Sequence, residues 1–491
     1  MPCTTILVGK KASYDGSTII ARNEDSGGNT FCAKRFAVSD PAGKKTYTSV
    51  LGHFTVDLPQ NGVRYTAMPN ADLKEGLWES AGVNARNVAM SATETITSNE
   101  RVLAADPLVV PRDAKGKPGD ADYEPEVVGG IGEEDMVTLT LPYIASAREG
   151  VLRLGGLLEE LGTYEMNGIA FSDVDEIWWL ETVGGHHWIA RRVPDDCYVT
   201  MPNQLGIDAF DLDDALGEGK EYLCSADLRE FIEKNHLDLS LDGQLNPRDA
   251  FGSHSDADHV YNTPRAWDMQ RFLNPTAGPW DTAQPAEDFG PECDRLPWCR
   301  VPERKVTIED VKYILSLHYQ GTPYDPYGNM GDEASRGRYR TIGINRNCQL
   351  AVLQLRPYAD EKHRAIHWVS LGSNAFNALL PFFAQVDDTP AYLRDCPGKP
   401  TTENLYWADR IIAALADPSF GACLPHIERY QEKLVAECCA LIRACDEQGG
   451  DLGECNQAIA DSARKRTDCL LDHVLYERSL QMRNAFHRSD N

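Results

Sequence analysis

The chain opens on Cys3-Thr4-Thr5-Ile6-Leu7-Val8-Gly9, passes through Ser13-Tyr14-Asp15-Gly16-Ser17 and returns as Thr18-Ile19-Ile20-Ala21-Arg22-Asn23-Glu24-Asp25. Thr4 to Val8 and Thr18 to Ala21 are apolar and rich in β-branched residues, so both read as strands. The Asp15-Gly16 pair between them is a strong hairpin signal. A hairpin closed there folds the Arg22–Asp25 end back beside Cys3. It brings a guanidinium and two carboxylates to a thiol near the chain start.

A cysteine in that position is most often a small buried residue. An Arg/Asp segment at a strand end is most often an ion pair of little worth when exposed. Their meeting across one hairpin changes the reading. If Met1-Pro2 is removed, Cys3 carries both halves of a catalytic pair. Its thiolate is the nucleophile, and its α-amine, ordinarily of near-neutral pKa, is the base. Arg22 would stabilise the thiolate. Asp25 would accept a hydrogen bond from the amine and hold it for proton transfer. The chemistry expected is amide hydrolysis by an N-terminal nucleophile.

The run from Cys3 to Asp25 resembles the opening of the C69 dipeptidases, the dipeptidase A family of bacteria. More distantly it is similar to the choloylglycine hydrolases and penicillin V acylases, where the same hairpin carries a Cys nucleophile and an Arg-Asn-x-Asp segment. Arg22, Asn23 and Asp25 match that segment. Trp78 to Asn84, Val88 to Thr95, Glu176 to Glu181, Gly185 to Asp196 and Tyr261-Asn262-Thr263-Pro264-Arg265-Ala266-Trp267 resemble further family blocks.

The resemblance implies an α+β fold, the four-layer αββα sandwich of the N-terminal nucleophile hydrolase type. Past about residue 400 the texture turns to helical spacing with mixed charges, so a catalytic domain over 1–399 and a helical C-terminal extension over 400–491, packed on the core or on another subunit, are expected. The resemblance implies a cysteine dipeptidase of broad specificity acting through an acyl-enzyme. The alternative is an N-acyl amide hydrolase of the choloylglycine hydrolase or penicillin V acylase kind, which shares the hairpin. Catalytic roles fall to Cys3, Arg22 and Asp25. Asn203, in Met201-Pro202-Asn203-Gln204, stands where the acylases carry an oxyanion Asn, and Arg265 stands where they carry an active-site Arg. Asn23 is expected to bind substrate. The acylases' other oxyanion Asn has no match, because the stretch reads Ala92-Thr93-Glu94-Thr95. A carboxylate cannot stabilise an oxyanion, so Glu94 is expected to hold the ammonium group of a peptide. A non-catalytic relative on the same fold is a third reading. The joint presence of Cys3, Arg22 and Asp25 speaks against it.

Composition narrows the partners. With 491 residues, 42% of them hydrophobic and 9% aromatic, the chain suits a large folded globule. A net charge of −27 argues against nucleic acid, since phosphate binding needs basic clusters. No leader pattern and no run of about 18 apolar residues is visible. A cytoplasmic protein without membrane contact, acting on small peptides and forming a homo-oligomer, is expected. The 14 cysteines show no Cys-x-x-Cys spacing and read as free thiols. Phosphate loops, Gly-x-Ser-x-Gly elbows and His-Glu-x-x-His helices do not occur, so no cofactor and no metal is expected. His186 and His187 on a strand would point apart and make poor joint ligands. By the same alternation, at least one of Trp178 and Trp179 should be buried.

Along the rest of the chain, 104–130 reads as a Pro-rich acidic loop. Asp135 to Leu161 reads as a helix, with Ile144, Val151, Leu154 and Leu158 on one face. Strands follow near Gly168–Phe171, Glu176–Thr182 and His187–Arg192, and helices at Ser225–Lys234 and Ile308–Tyr319. Residues 244–299 are too long for a plain loop and read as short helices and loops around Arg265. Strands return at Arg340–Ile344, Gln349–Leu355 and Ile366–Ser370, with 341–344 and 350–355 as a late hairpin. Helical spacing recurs at Leu405–Leu415, Ile427–Cys445 and Cys455–Glu477.

Overall fold

A computed structural model describes residues 3–28, 30–278, 280 and 289–482, with only the backbone of residue 93. Met1-Pro2, whose loss the N-terminal chemistry requires, lies outside the described residues, as does part of the loop between Arg265 and Cys299.

The opening hairpin forms. Cys3–Val8 runs antiparallel to Thr18–Asp25, with Cys3 opposite Glu24 and Val8 opposite Ile19. Gly16 takes φ +84°, a conformation that glycine adopts without strain. Asp15 Oδ1 braces the turn by accepting from Ser17 N at 3.0 Å. The return strand runs past Ala21 to Asp25 because Asn347–Leu355 pairs along its other edge, setting Ala351 against Arg22 and Asn347 against Asp25. The hairpin therefore sits inside a seven-stranded antiparallel sheet. Its order is Cys299–Arg300, Tyr198–Met201, Cys3–Val8, Thr18–Asp25, Asn347–Leu355, Ala365–Leu371, Leu380–Phe383.

A second, eight-stranded sheet has the order Tyr222–Cys224, His187–Arg192, Ile177–Val183, Asn167–Ser172, Ala89–Thr95, Ala81–Asn84, Tyr65–Ala67, Ala37–Ser39. The two sheets stack, and Leu7, Ile20, Leu353, Ala170, Trp179 and Ile189 share the core between them. Glu133–Thr140 and Ala147–Leu161 cover the outer face of the second sheet. Val151, Leu154 and Leu158 pack there with Phe171, Trp178 and Leu180. Gly150 and Gly155 let this helix lie close, since a Cβ would stand 2.4 Å from the Phe171 ring and 2.3 Å from that of Trp188. Leu405–Ala416, Phe420–Gln448 and Leu452–Leu480 cover the first sheet over Ala365–Leu371 and Leu380–Phe383. The architecture is the four-layer αββα sandwich. Arg356 ties sheet to helix with a bidentate pair to Asp446, at 2.7 and 3.0 Å.

Four local expectations give way. Asp135 to Leu161 is not one helix: Pro142, in the short turn Leu141–Tyr143, lacks an N–H, and Ser146 caps a new helix by accepting from Glu149 N. The helix begun at Ile308 stops at Ile314 instead of Tyr319, and the Leu315 carbonyl is taken by Asn23 Nδ2 at 2.9 Å. The late hairpin does not form, because Ile342 N and Gly343 N donate to Leu317 O while Asn347–Leu355 has both edges occupied by other strands. Finally, His186 lies in the turn before its strand, so the two imidazoles do not alternate. Both Nδ1 atoms meet the Asp106 carboxylate, at 2.9 and 2.7 Å. Burial pushes Asp106 up, but hydrogen bonds from His187 and His186 outweigh it and lower it to about 2. Trp178 and Trp179 do alternate, and both are buried, one in each core. Among the described residues, no helix is long and apolar enough to cross a membrane.

Candidate active site

Successive residues of a strand face opposite ways, and Thr18–Asp25 uses this to separate two tasks. Arg22 and Glu24 face the second sheet. Arg22, 2% exposed, donates through Nη1 to Cys3 Sγ at 2.8 Å. Its Nε donates to Ser91 Oγ at 3.2 Å, and its Nη2 to the carbonyls of Ser80 (3.1 Å) and Ala92 (2.7 Å). Ser80 holds φ +60°, a strained value for a residue with a side chain, and its carbonyl is turned onto Arg22. Behind Arg22, Glu24 lies 3.4 Å from Nη2 and 2.6 Å from Lys34 Nζ. Lys34 is fully buried and also reaches Ser80 Oγ at 2.7 Å and Trp78 O at 3.0 Å. Burial pushes the Glu24 carboxyl up, but Lys34 and then Arg22 overcome it and hold it below the usual carboxylate range. The guanidinium is thus fixed on the sulfur by buried partners, one of them the ionised Glu24 carboxylate.

Cys3 itself is fully buried, and burial drives its thiol well above the ordinary range, with Arg22 opposing. Such a thiol needs a nearby base or further positive charge to ionise. An α-amine on the same residue would provide either.

The backbone nitrogen that would become this amine donates to Asn203 Oδ1 at 3.3 Å. The same Oδ1 accepts from Arg265 Nη2 at 2.7 Å, and Asn203 Nδ2 donates to Thr95 O at 2.9 Å. Pro264, in the first turn of the helix Thr263–Leu273, needs no N–H partner and starts the helix that presents Arg265. Arg265 bonds through Nη1 to Cys3 O and to Thr4 Oγ1, through Nε to Tyr261 O at 2.7 Å, and through Nη2 to Asn262 Oδ1 at 2.8 Å. Burial, and then the charge of Arg340, lower Arg265 to about 10.

Glu94 is fully buried on the second sheet. Its Oε2 accepts from Thr5 Oγ1 at 2.7 Å, while Oε1 meets no hydrogen-bond donor among the described residues. Burial pushes its carboxyl up to about 8, with Arg265 the largest opposing charge. Cys3, Arg22, Asn203, Arg265 and Glu94 therefore stand together.

Two other residues are placed differently. Asp25 faces away from the second sheet, and its carboxylate is held by Arg340 and by Asn347 Nδ2. The contact with Cys3 N sought from Asp25 is made here by Asn203. Asn23 donates to Leu315 O and accepts from Asn374 Nδ2 at 2.6 Å, so its amide ties two loops to the strand and is not brought to the sulfur. Sequence reasoning missed Lys34, Ser80, Arg340 and Asn347. Ser80 and Lys34 carry no chemical motif, and the partners of Asp25 lie more than 300 positions away, at |i−j| of 315 and 322. Among the described residues, no cluster of three or more His, Cys, Asp or Glu could hold a metal ion.

The chain matches the model of Peptidase family C69 over residues 2–433. It belongs to peptidase family C69. This C69 peptidase is 58% identical to a "Dipeptidase" of Bifidobacterium longum, an alignment covering 100% of both chains. It is 50% identical to a "Probable dipeptidase A" of Streptococcus pyogenes serotype M3, again over 100% of both. A penicillin V acylase from Agrobacterium tumefaciens aligns structurally at 10% identity with a TM-score of 0.32, covering 78% of this chain and 86% of that one. As a C69 peptidase, the chain is a hydrolase acting on peptide bonds.

Proposed function

We propose that this hydrolase cleaves dipeptides of broad side-chain preference through an acyl-enzyme on Cys3, once Met1-Pro2 has been removed. The observation that carries the reading is the double clasp on Cys3, with Arg22 on its sulfur and Asn203 on its nitrogen. The freed α-amine takes the thiol proton, and the thiolate attacks the scissile carbonyl carbon beside the Arg22 charge. As the tetrahedral intermediate collapses, the C–N bond breaks and the amine passes its proton to the leaving nitrogen. Water then attacks the thioester, giving a proton to the amine, and the C–S bond breaks to restore the thiol and release the acid. Asn203 holds the amine through Oδ1. Its Nδ2 can serve the oxyanion only if its bond to Thr95 O opens as substrate enters. Asp25, with Arg340 and Asn347, acts from the far side of the strand by fixing the end of the hairpin.

Glu94 holds the substrate ammonium. Its Oε1, which meets no donor among the described residues, offers an acceptor in a buried site, and an arriving ammonium would favour the ionised carboxylate. This favours a free dipeptide over an N-acylated amide. We also read 400–491 as an extension of the 1–399 catalytic domain, because Leu405, Leu434 and Ile366 share one core.

The test is hydrolysis of a panel of free dipeptides by the purified protein and by Cys3→Ala, with the mature terminus checked by intact mass. Turnover by the wild type and none by the variant supports the reading. An active protein that still begins at Pro2 refutes the free-amine mechanism. A mature but inactive enzyme points to N-acyl amides instead. Glu94→Gln should raise KM for free-amine substrates more than for N-blocked ones.

A further inference from the structure

A dipeptide is a zwitterion, and Glu94 answers only its ammonium. The opposite charge collects just past the open end of the hairpin, beside Asp25 and Ser26. Arg265 and Arg340 place Cζ 5.2 and 4.9 Å from the ring centroid of Tyr261, and Arg346 Nη2 donates to the Tyr261 hydroxyl at 3.0 Å. Among the described residues, the one carboxylate ion-paired to any of these three guanidiniums is Asp25, through Arg340. The cluster therefore carries excess positive charge.

Its members are not equivalent. Arg265 is fully buried, with Nε, Nη1 and Nη2 all bonded to oxygen acceptors. Arg340 is spent on Asp25. Arg346 and Tyr261 are only half-buried. Arg346 uses Nη1 on Ser26 O at 3.3 Å and Nη2 on the tyrosine hydroxyl, both neutral oxygens. A guanidinium has five N–H donors, so several remain to fork onto a carboxylate.

The position suits such a role. Ser26 N donates to Arg346 O at 2.9 Å, which sets Arg346 just past Asp25 at the strand end, while Cys3 lies opposite Glu24. Glu94, bonded to Thr5, lies the other way along the hairpin. The acid and the guanidinium thus lie in opposite directions from the thiol.

We propose that Arg346, held by the Tyr261 hydroxyl, reads the C-terminal carboxylate of the dipeptide and so restricts substrates to two residues. This rests on the dipeptidase reading above.

The test compares alanyl-leucine with alanyl-leucinamide, which lacks the carboxylate. The wild type should prefer the acid in kcat/KM by about tenfold or more, the worth of one charge-assisted contact. Arg346→Met should bring that ratio close to one through the KM of the acid, Arg346→Lys to a value between, and Tyr261→Phe should lower it partway. A wild type that cleaves both equally overturns the proposal and leaves the dipeptidase reading standing. So does an Arg346→Met enzyme that loses both activities in proportion, as a purely structural residue would. A wild type that cleaves neither, but cleaves N-acyl amides, removes both readings together.

Discussion

Lys34→Met isolates the charge network behind the nucleophile. Lys34 and Glu24 are 0% and 1% exposed, and their 2.6 Å pair is what keeps the Glu24 carboxylate ionised against burial. Methionine preserves much of the volume but leaves Glu24 with Arg22 and the Ser80 hydroxyl and without its nearest cation. Removing one partner of a buried pair costs about 3–5 kcal/mol. Unfolding entropy of roughly 2.1 cal/mol/K per residue gives about 1 kcal/mol/K for 491 residues, so Tm should fall by roughly 3–5 °C. Glu24→Gln alone strands the ammonium and should also destabilise. The double variant removes both charges and should recover to within about 2 kcal/mol of the wild type, a non-additivity typical of residues in contact. Thermal melts followed by circular dichroism on the four proteins measure this directly. A double variant that loses the sum of the two single losses would refute the reasoning, as would a Lys34→Met protein that melts with the wild type.

Three further outcomes follow from the same geometry. Arg22→Gln removes the guanidinium from Cys3 Sγ, so the alkylation rate of Cys3 by iodoacetamide at pH 7 should fall about tenfold or more; an unchanged rate excludes Arg22 as the thiolate's partner. Burial raises the Glu94 carboxyl from its ordinary 4.5 to about 8, so the stability linked to it is complete below 4.5 and lost as pH rises through about 8. Glu94→Gln should therefore lose less stability than the wild type between pH 5 and pH 8, by up to about 1.4 kcal/mol per pH unit in denaturant titrations, and parallel curves would contradict this. Gly155→Ala would set a Cβ 2.3 Å from the Trp188 ring and should cost about 1–3 kcal/mol without altering KM; a neutral melt would show that the helix can lift off the sheet freely.

Much of this molecule is carried by short-range pattern. β-branched runs, one Asp-Gly turn and the return to Arg22 were enough to lay the charged end of the hairpin beside Cys3, because a hairpin's register follows from its turn and its alternating faces. The long C-terminal helices were legible from their apolar spacing, read over Ile427–Cys445 and Cys455–Glu477 within helices that each run 29 residues. Tertiary structure decided the rest. Which face of Thr18–Asp25 meets the sulfur depends on the second sheet, so Arg22 reaches Cys3 while Asp25 turns to Arg340 and Asn347. The Leu315 carbonyl is taken by Asn23, and Asn347–Leu355 enters the sheet beside the hairpin, through contacts some 300 positions apart. Local propensity carries no information about partners at that distance. The depth at which Cys3, Lys34 and Glu94 lie, and hence the state of each ionisable group, exists only once both sheets and both helical layers have closed over them.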